Sequence, residues 1–323
     1  MKKLMLPGLA AGSVALLALS GCGAPGADQT AEADETGLTK VAVGLALVGN
    51  NAPIFLGDAK GFFEDEGLEL DLQPVTGGAA VVPSVISGSW QFGNSNLVSV
   101  MVARDKGLDV RLVAAGGSAN PSGEMDGSAV IVSADSPIKR PADLAGKKVS
   151  VNTLANVGDT TVRYAVEQDG GDQSSIDFVE VAFPDAEAAL NNKQVDAAWT
   201  TEPFLTQAVN NGARLISNTY IAVDPNLTIT GYFATGQLIQ DQPELVEKFQ
   251  KAMNKSLEYA QANPAEVREI IGTYTNIDPA LREQMVLSNF AVEFNREGVR
   301  KLGEAAFRYG TLSEEPNLDE LLP

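Results

Sequence analysis

Beyond residue 38, short apolar runs alternate with amphipathic stretches along the chain. Residues 41–48 are apolar almost throughout, which is typical of a strand covered on both faces. Apolar positions then recur at helical spacing over 53–63, and a second strand is predicted over 68–75. This order of elements predicts an α/β architecture built on parallel sheets.

The same alternation occurs twice. Gly, Ser, Asn and Pro dominate residues 116–127, which indicates a crossover rather than packed structure. Strands and helices resume from 129 to 210, a return strand is predicted at 232–236, and the remainder is mostly helical. We therefore expect two Rossmann-like lobes, one formed by 39–119 with 237–323 and the other by 120–236.

The N-terminus carries an export pattern. Lys2 and Lys3 precede an apolar stretch over 4–19, and Gly21 stands before Cys22. This predicts a signal peptide over 1–21, and the cleavage motif resembles a bacterial lipobox that would leave Cys22 to carry lipid. A transmembrane helix is the alternative, but it needs about 20 apolar residues. The run is shorter and is interrupted by proline and glycine.

Residues 22–38 have almost no large apolar side chain, so they cannot bury enough surface to offset the entropy of ordering. They are predicted to form a flexible tether that reaches about 20 Å. The expected location is therefore extracytoplasmic, with the protein anchored to the membrane only through its N-terminal lipid.

Composition excludes several functions. The formal net charge is −19 and becomes −21 without residues 1–21, so nucleic-acid binding is not expected. The chain has no histidine and a single cysteine. Histidine-dependent catalysis, imidazole metal sites and an intrachain disulfide are therefore excluded. No catalytic, metal or cofactor motif is found, and neither an enzyme nor a cofactor is expected.

Four segments carry a family resemblance: PIFLGDAKGFFEDEGLEL at 53–70, VVPSVISGSWQFGNSN at 81–96, DLAGKKVSVN at 143–152 and VDAAWTTEPF at 195–204. Their order and spacing resemble the NMT1/THI5-like and aliphatic-sulfonate-binding solute-binding proteins. The resemblance implies a type II periplasmic-binding-protein fold with a ligand cleft between lobes. It also implies a small-molecule ligand, and an ABC permease with its ATPase as partners; a monomer is expected. An enzymatic branch of the group uses an active-site histidine and a cysteine-rich motif, which this chain lacks.

Candidate site residues come from the strand ends, where ligands bind in open α/β sheets. The loops expected at that edge lack Lys and Arg, so an anionic group would have to be held by backbone N–H groups and by neutral polar side chains. The predicted ligand-binding residues are Asn50, Asn51, Thr76, Gly77, Gly78, Asn94, Ser95, Asn156, Trp199 and Glu202.

Several candidates also have a structural explanation. Asn50 and Asn51 are suited to capping a helix, and Thr76 with its glycines to forming a turn. Trp199 could belong to the core, and Glu202 could compensate the dipole of the helix after Pro203.

Our first expectation for the ligand is an amino-sulfonate or similar small organic acid, with helix N-termini at the acid and Glu202 at the amine. The second is a neutral heteroaromatic, such as a pyrimidine precursor, stacked on Trp199. Two other classes stay open. One is an exported hydrolase that uses Glu202 and Asp159, and the other is a purely structural surface lipoprotein.

Overall fold

The computed structural model describes residues 37–122 and 125–323. The signal peptide, Cys22 and nearly all of the predicted tether lie outside the described residues. In the described part of the chain, no helix is both long and apolar enough to span a bilayer. The strands are β1 (Thr39–Ala46), β2 (Leu68–Val75), β3 (Phe92–Asn96), β4 (Val110–Ala115), β5 (Ser128–Val132), β6 (Lys148–Val151), β7 (Asp177–Glu180), β8 (Ala197–Thr201), β9 (Arg214–Asn218) and β10 (Thr230–Thr235).

Helices connect these strands and complete the C-terminal region. They are α1 (Ala52–Ala59), α2 (Val82–Ile86), α3 (Leu97–Asp105), α4 (Val157–Gln168), α5 (Phe183–Asn191), α6 (Phe204–Asn210), α7 (Thr219–Val223), α8 (Gly236–Asp241), α9 (Pro243–Ala262), α10 (Pro264–Tyr274), α11 (Pro279–Gln284), α12 (Arg296–Arg308) and α13 (Leu318–Leu321).

The described strands form two five-stranded sheets, ordered β2-β1-β3-β10-β4 and β7-β6-β8-β5-β9. The prediction of parallel pairing is correct for β1 with β2 and β3, and for β6 with β7 and β8. It is wrong for β10 and β5, which pair antiparallel with their neighbours. These two strands follow the segments that cross between the sheets. They therefore enter at the carboxyl edge and run in the opposite direction.

The two segments that cross between the sheets, residues 116–127 and 219–229, pair with each other. An antiparallel bridge joins Ser118 to Thr228, and Gly116 N donates to Thr230 O at 2.9 Å. Ser118 also bridges to Asn289, so a third segment lies beside the crossing. The predicted crossover at 116–127 is thus partly ordered by backbone hydrogen bonds rather than being an open loop.

One hydrophobic cluster includes residues from both sheets, such as Leu112 in β4 and Val130 in β5. It also includes Val98 in α3, Val157 in α4 and Val299 in α12. The amphipathic helix α12 contacts α3, α4 and α7. Because this apolar surface is shared, the loops at the carboxyl ends of the two sheets lie close together.

Three of the differences from the sequence predictions concern β3, α4 and β9. Asn94, Ser95 and Asn96 belong to β3 instead of opening the next helix, which begins at Leu97. Helix α4 begins at Val157, two residues before its predicted start. Strand β9 was not predicted, because its side chains are all only partly buried and their hydrophobic pattern is weak.

Candidate functional site

A cavity lies at the carboxyl ends of β1, β3 and β8, where the two sheets come together. The cavity volume is about 60 Å³, which is small for a ligand site but enough for more than one water. Its lining residues are Ala46, Val48, Asn50, Asn51, Gly77, Gly78, Asn94, Ser95, Asn96, Asn152, Val157, Phe183, Trp199, Thr201, Tyr220, Ile229 and Thr230.

Seven of the ten predicted site residues line this cavity: Asn50, Asn51, Gly77, Gly78, Asn94, Ser95 and Trp199. The other three, Thr76, Asn156 and Glu202, are not among its lining residues. The strand-end rule thus brought together side chains that are up to 149 positions apart in the chain, since Asn50 and Trp199 share one cavity.

One part of the lining is formed by amides and a hydroxyl. We call Asn50, Asn51, Asn94 and Ser95 the polar wall. Asn50 Oδ1, Asn51 Oδ1, Asn94 Nδ2 and Ser95 Oγ are buried and have no hydrogen-bond partner among the described residues. A buried polar atom without a partner costs about 1–3 kcal/mol. Four residues of one cavity therefore each have a polar atom whose hydrogen bonding the described residues do not satisfy.

The Asn51 side chain explains why this wall does not serve helix α1. Asn51 occupies the N-cap position, but it makes no side-chain capping bond. Its Nδ2 instead donates to Ala46 O at 2.8 Å, which fixes the amide in place and leaves Oδ1 free. The capping alternative for Asn51 is therefore not what the structure shows.

Another part of the lining is formed by rings. We call Phe183, Trp199 and Tyr220 the aromatic wall. Trp199 lies 5.5 Å from Phe183 and 6.2 Å from Tyr220, measured between ring centroids. The Trp199 Nε1 donates to Thr219 Oγ1 at 3.0 Å, so its polar atom is already paired. Trp199 is 2% exposed, and it is therefore both a core residue and a cavity residue.

Sequence analysis missed Phe183 and Tyr220. Phe183 follows a correctly located strand, so the strand-end rule could have found it. Tyr220 follows β9, whose pattern gave no strand to extend from. Gly158 was missed for another reason. A Cβ there would lie 2.8 Å from Trp199 Cε3, a contact that depends on the packing of α4 against β8.

The Glu202 carboxylate is committed to protein groups. Thr206 Oγ1 donates to it at 2.6 Å, Thr206 N at 3.2 Å, and the Val286 N–H at 2.9 Å. Burial raises the pKa of Glu202. These bonds correspond to the structural explanation, a carboxylate at the start of α6, and they leave the cavity lining without this charge.

Asn156 and Asp159 form a capping box at the start of α4. Asn156 Oδ1 accepts from Val157 N at 2.7 Å, and Asp159 Oδ1 accepts from Asn156 N at 2.7 Å. The Asn156 amide also reaches Ser99 in α3, with Nδ2 donating to Oγ at 2.9 Å. Asn156 thus links the two sheet regions without lining the cavity. The carboxylates that were predicted to pair for hydrolysis are each engaged elsewhere, Asp159 by N–H groups of its own loop and Glu202 by Thr206 and Val286.

The lining residues among the described part of the chain carry no charge. Likewise, no cluster of three or more Cys, Asp or Glu suited to a metal ion occurs within 37–122 and 125–323. The site therefore offers hydrogen bonds and aromatic surface rather than ion pairs or coordination.

Comparison with known proteins is consistent with this architecture. The NMT1/THI5-like family model matches residues 49–267. The riboflavin-binding protein RibY of Chloroflexus aurantiacus is 25% identical over 278 residues, covering 81% of this chain and 76% of RibY.

Two solved structures show the same fold. The alkanesulfonate-binding protein SsuA of Xanthomonas axonopodis pv. citri, bound to MOPS, has a TM-score of 0.73 at 15% identity, covering 88% of this chain and 98% of SsuA. The periplasmic nitrate-binding protein NrtA of Synechocystis has a TM-score of 0.74 at 13% identity, covering 88% and 86%. The predicted periplasmic-binding-protein fold is confirmed, and the chain belongs to the NMT1/THI5-like family.

Proposed function

We propose that this protein is the solute-binding component of an ABC importer, which captures a small uncharged ring compound and delivers it to a membrane permease. The observation that carries the proposal is the polar wall, because the four residues that form it line a single cavity and each has a buried polar atom without a partner among the described residues. Family membership supports the role in solute binding, and the absence of charge in the described lining supports the ligand class.

The atoms of the polar wall specify complementary ligand groups. Asn50 Oδ1 and Asn51 Oδ1 accept hydrogen bonds, so they suit N–H or O–H groups. Asn94 Nδ2 donates and suits a carbonyl or ring nitrogen, and Ser95 Oγ can do either. Donors and acceptors on one edge of a flat molecule are typical of a heteroaromatic ring.

The aromatic wall supports the same class, because ring faces pack well against Phe, Trp and Tyr. RibY is named for binding riboflavin, a heteroaromatic compound. SsuA and NrtA are named for alkanesulfonate and nitrate. The amino-sulfonate that we first expected is the second candidate, but the Glu202 carboxylate meant for its amine is engaged by Thr206 and Val286.

Capture requires the two sheet regions to move. A cavity of this size does not admit a ring compound, and contacts such as Asn156–Ser99 and Glu202–Val286 join the two sheet regions. We propose that the lobes 39–119 with 237–323 and 120–236 open about the paired crossing segments. The ligand would enter the open form, and its hydrogen bonds would favour closure.

The location belongs to the same proposal. A lipid on Cys22 would hold a monomer at the outer face of the cell membrane, within reach of its permease and ATPase. This part rests on the lipobox-like sequence, and mass spectrometry of the mature N-terminus tests it.

The test of ligand class uses calorimetric titration of the mature protein with nicotinamide and cytosine as neutral ring probes, and taurine and ethanesulfonate as acidic probes. Binding of a neutral probe without binding of the acids supports the proposal. Binding of the acids alone would transfer the assignment to the amino-sulfonate candidate. Failure of every probe, together with a purified protein that carries no solute detectable by mass spectrometry, would contradict the solute-binding role.

A matched pair of serines locates the site. Ser95 Oγ and Ser150 Oγ are both buried in strands and unpartnered among the described residues, but only Ser95 lines the cavity. We expect Ser95→Ala to weaken binding of the neutral probe about tenfold, which corresponds to one lost hydrogen bond. Ser150→Ala should leave it unchanged. Equal effects of the two changes would place the site elsewhere.

A further inference from the structure

Helix α4, which begins at the cavity, has a carboxylate in its first turn. Val157, the first residue of α4, lines the cavity, and the carboxylate of Asp159 closes the turn in front of it. Asp159 Oδ1 accepts from Asn156 N at 2.7 Å, and Oδ2 accepts from Ala155 N at 3.1 Å. Asp159 is only 7% exposed. Backbone N–H groups that would otherwise be available to an acidic solute are therefore occupied.

Helix α3 is closed in a similar way. Asn96, which lines the cavity, accepts from Ser99 N at 3.0 Å through its Oδ1. Ser99 Oγ in turn accepts from Asn156 Nδ2 at 2.9 Å. The N-termini of α3 and α4 at the cavity thus have their first turns satisfied by side chains of this chain, whereas α1 after Asn51 and α5 at Phe183 have no side-chain cap.

Asp159 itself does not line the cavity but stands two residues after Val157, which does, and no cation lies in the described lining. Arg163, one turn along α4, attracts the carboxylate electrostatically. However, its guanidinium donates to Gln173 O at 2.6 Å, and Arg163 does not line the cavity. A solute anion held beside Val157 would therefore lie near a buried carboxylate, and like charges repel more strongly in a poorly screened interior.

We infer that Asp159 is a specificity-determining residue that excludes anionic solutes from the cavity. The inference rests on the proposed function, since it assumes that the cavity is the ligand site. It explains how a chain with the fold of SsuA and NrtA can select an uncharged ligand. The Asp159 carboxylate at the start of α4 excludes anions, and the polar wall then forms hydrogen bonds with the neutral solutes that enter.

The experiment compares Asp159→Asn with Asp143→Asn in the mature protein. Asp143 makes the same type of bonds, accepting from Lys139 N at 2.8 Å and Arg140 N at 3.2 Å, but it is exposed and away from the cavity. The probes are nicotinamide and nicotinate, which share a ring and differ in charge, with ethanesulfonate as a second anion. Affinities are measured by calorimetry and folding by thermal melting.

We expect Asp159→Asn to strengthen binding of nicotinate or ethanesulfonate about tenfold or more and to change nicotinamide binding by less than about threefold. Asp143→Asn should change neither. A purely structural role for Asp159 would lower the melting temperature and shift all probes equally, which would overturn the inference. Unchanged anion binding in a folded Asp159→Asn protein would also overturn it.

A second variant keeps the test decisive if Asp159→Asn does not fold. Asp159→Ser removes the charge while its hydroxyl oxygen can still accept one of the two N–H groups, and the same gain in anion binding is expected. The proposed function fails separately, because that failure appears as a wild-type protein that binds no neutral solute. The gain or absence of anion binding in the variants decides the role of Asp159 in either case.

Discussion

The polar wall and the aromatic wall line the same cavity but differ in how far the protein satisfies its own groups. The polar wall leaves four buried atoms without partners among the described residues. In the aromatic wall, the indole N–H of Trp199 is paired with Thr219 and the rings pack on one another. The first therefore has a cost in stability that a ligand would offset under the proposed function, whereas the second stabilises the folded protein with or without one.

Removing the centre of the aromatic wall should have the largest effect. We expect Trp199→Ala to lower the free energy of unfolding by about 3–5 kcal/mol, because a fully buried ring leaves a cavity. Chemical denaturation monitored by circular dichroism measures this. Trp199→Phe should lose less, since it keeps a six-membered ring although it loses the rest of the indole and the bond to Thr219. A loss below about 1 kcal/mol for Trp199→Ala would show that the wall is a ligand platform and not part of the core.

A buried acid beside the aromatic wall should make stability depend on pH. Asp126 accepts from Ile221 N, next to Tyr220, and burial raises the pKa of Asp126 from 3.8 to about 6. The folded state then holds this proton more tightly than the unfolded chain. The stabilisation by protonation is fully present below about pH 4 and is lost as pH rises through 6, an effect of about 3 kcal/mol at most.

The measurement is the free energy of unfolding of wild type and Asp126→Asn at pH 5 and pH 7.5. Burial also raises the pKa of Asp159 and Glu202, so the difference between the two proteins isolates Asp126. Wild type should gain stability relative to Asp126→Asn as pH falls. Parallel pH profiles for the two proteins would contradict the assignment.

A pair of glycines tests how tightly the backbone approaches the polar wall. A Cβ at Gly78 would lie 2.5 Å from Ser95 Oγ and 2.9 Å from Ser95 Cα, whereas at Gly77 the nearest atom is Asn152 Nδ2 at 3.3 Å. We expect Gly78→Ala to lower the free energy of unfolding by about 1–3 kcal/mol through overpacking. Gly77→Ala should lower the free energy of unfolding less, and chemical denaturation measures both variants. The reverse order would show that Ser95 moves away easily.

The smallest expected change in stability is that of Asn94→Ala, which we compare with Asn96→Ala. Asn94→Ala removes a buried donor without a partner among the described residues, so we expect the free energy of unfolding to stay within about 1 kcal/mol while binding of a neutral probe weakens about tenfold. Asn96→Ala removes the cap of α3 and should cost about 1 kcal/mol in stability. If Asn94→Ala destabilises the protein more than Asn96→Ala, the polar wall is structural.

Local patterns located most of the elements because each depends on neighbouring residues. The apolar run at 41–48 lies over β1, and the glycine-rich passage at 116–127 corresponds to the connection between the sheets. Seven of the predicted site residues follow from this, since the end of a strand is itself a local signal. Phe183 fits the same rule. Tyr220 does not, because the preceding strand β9 has only partly buried side chains.

The sequence by itself determined the alternation of strands and helices, the absence of Lys and Arg from the strand-end loops and the family. Tertiary structure alone decided which polar groups are free to meet a ligand. Glu202 is engaged by Val286, 84 positions away, and Asn156 by Ser99, 57 positions away, while Asn94 and Ser95 find no partner among the described residues. A hydrogen bond depends on where two atoms lie in space, and for residues so far apart in the chain that position is defined only once both sheets have packed together.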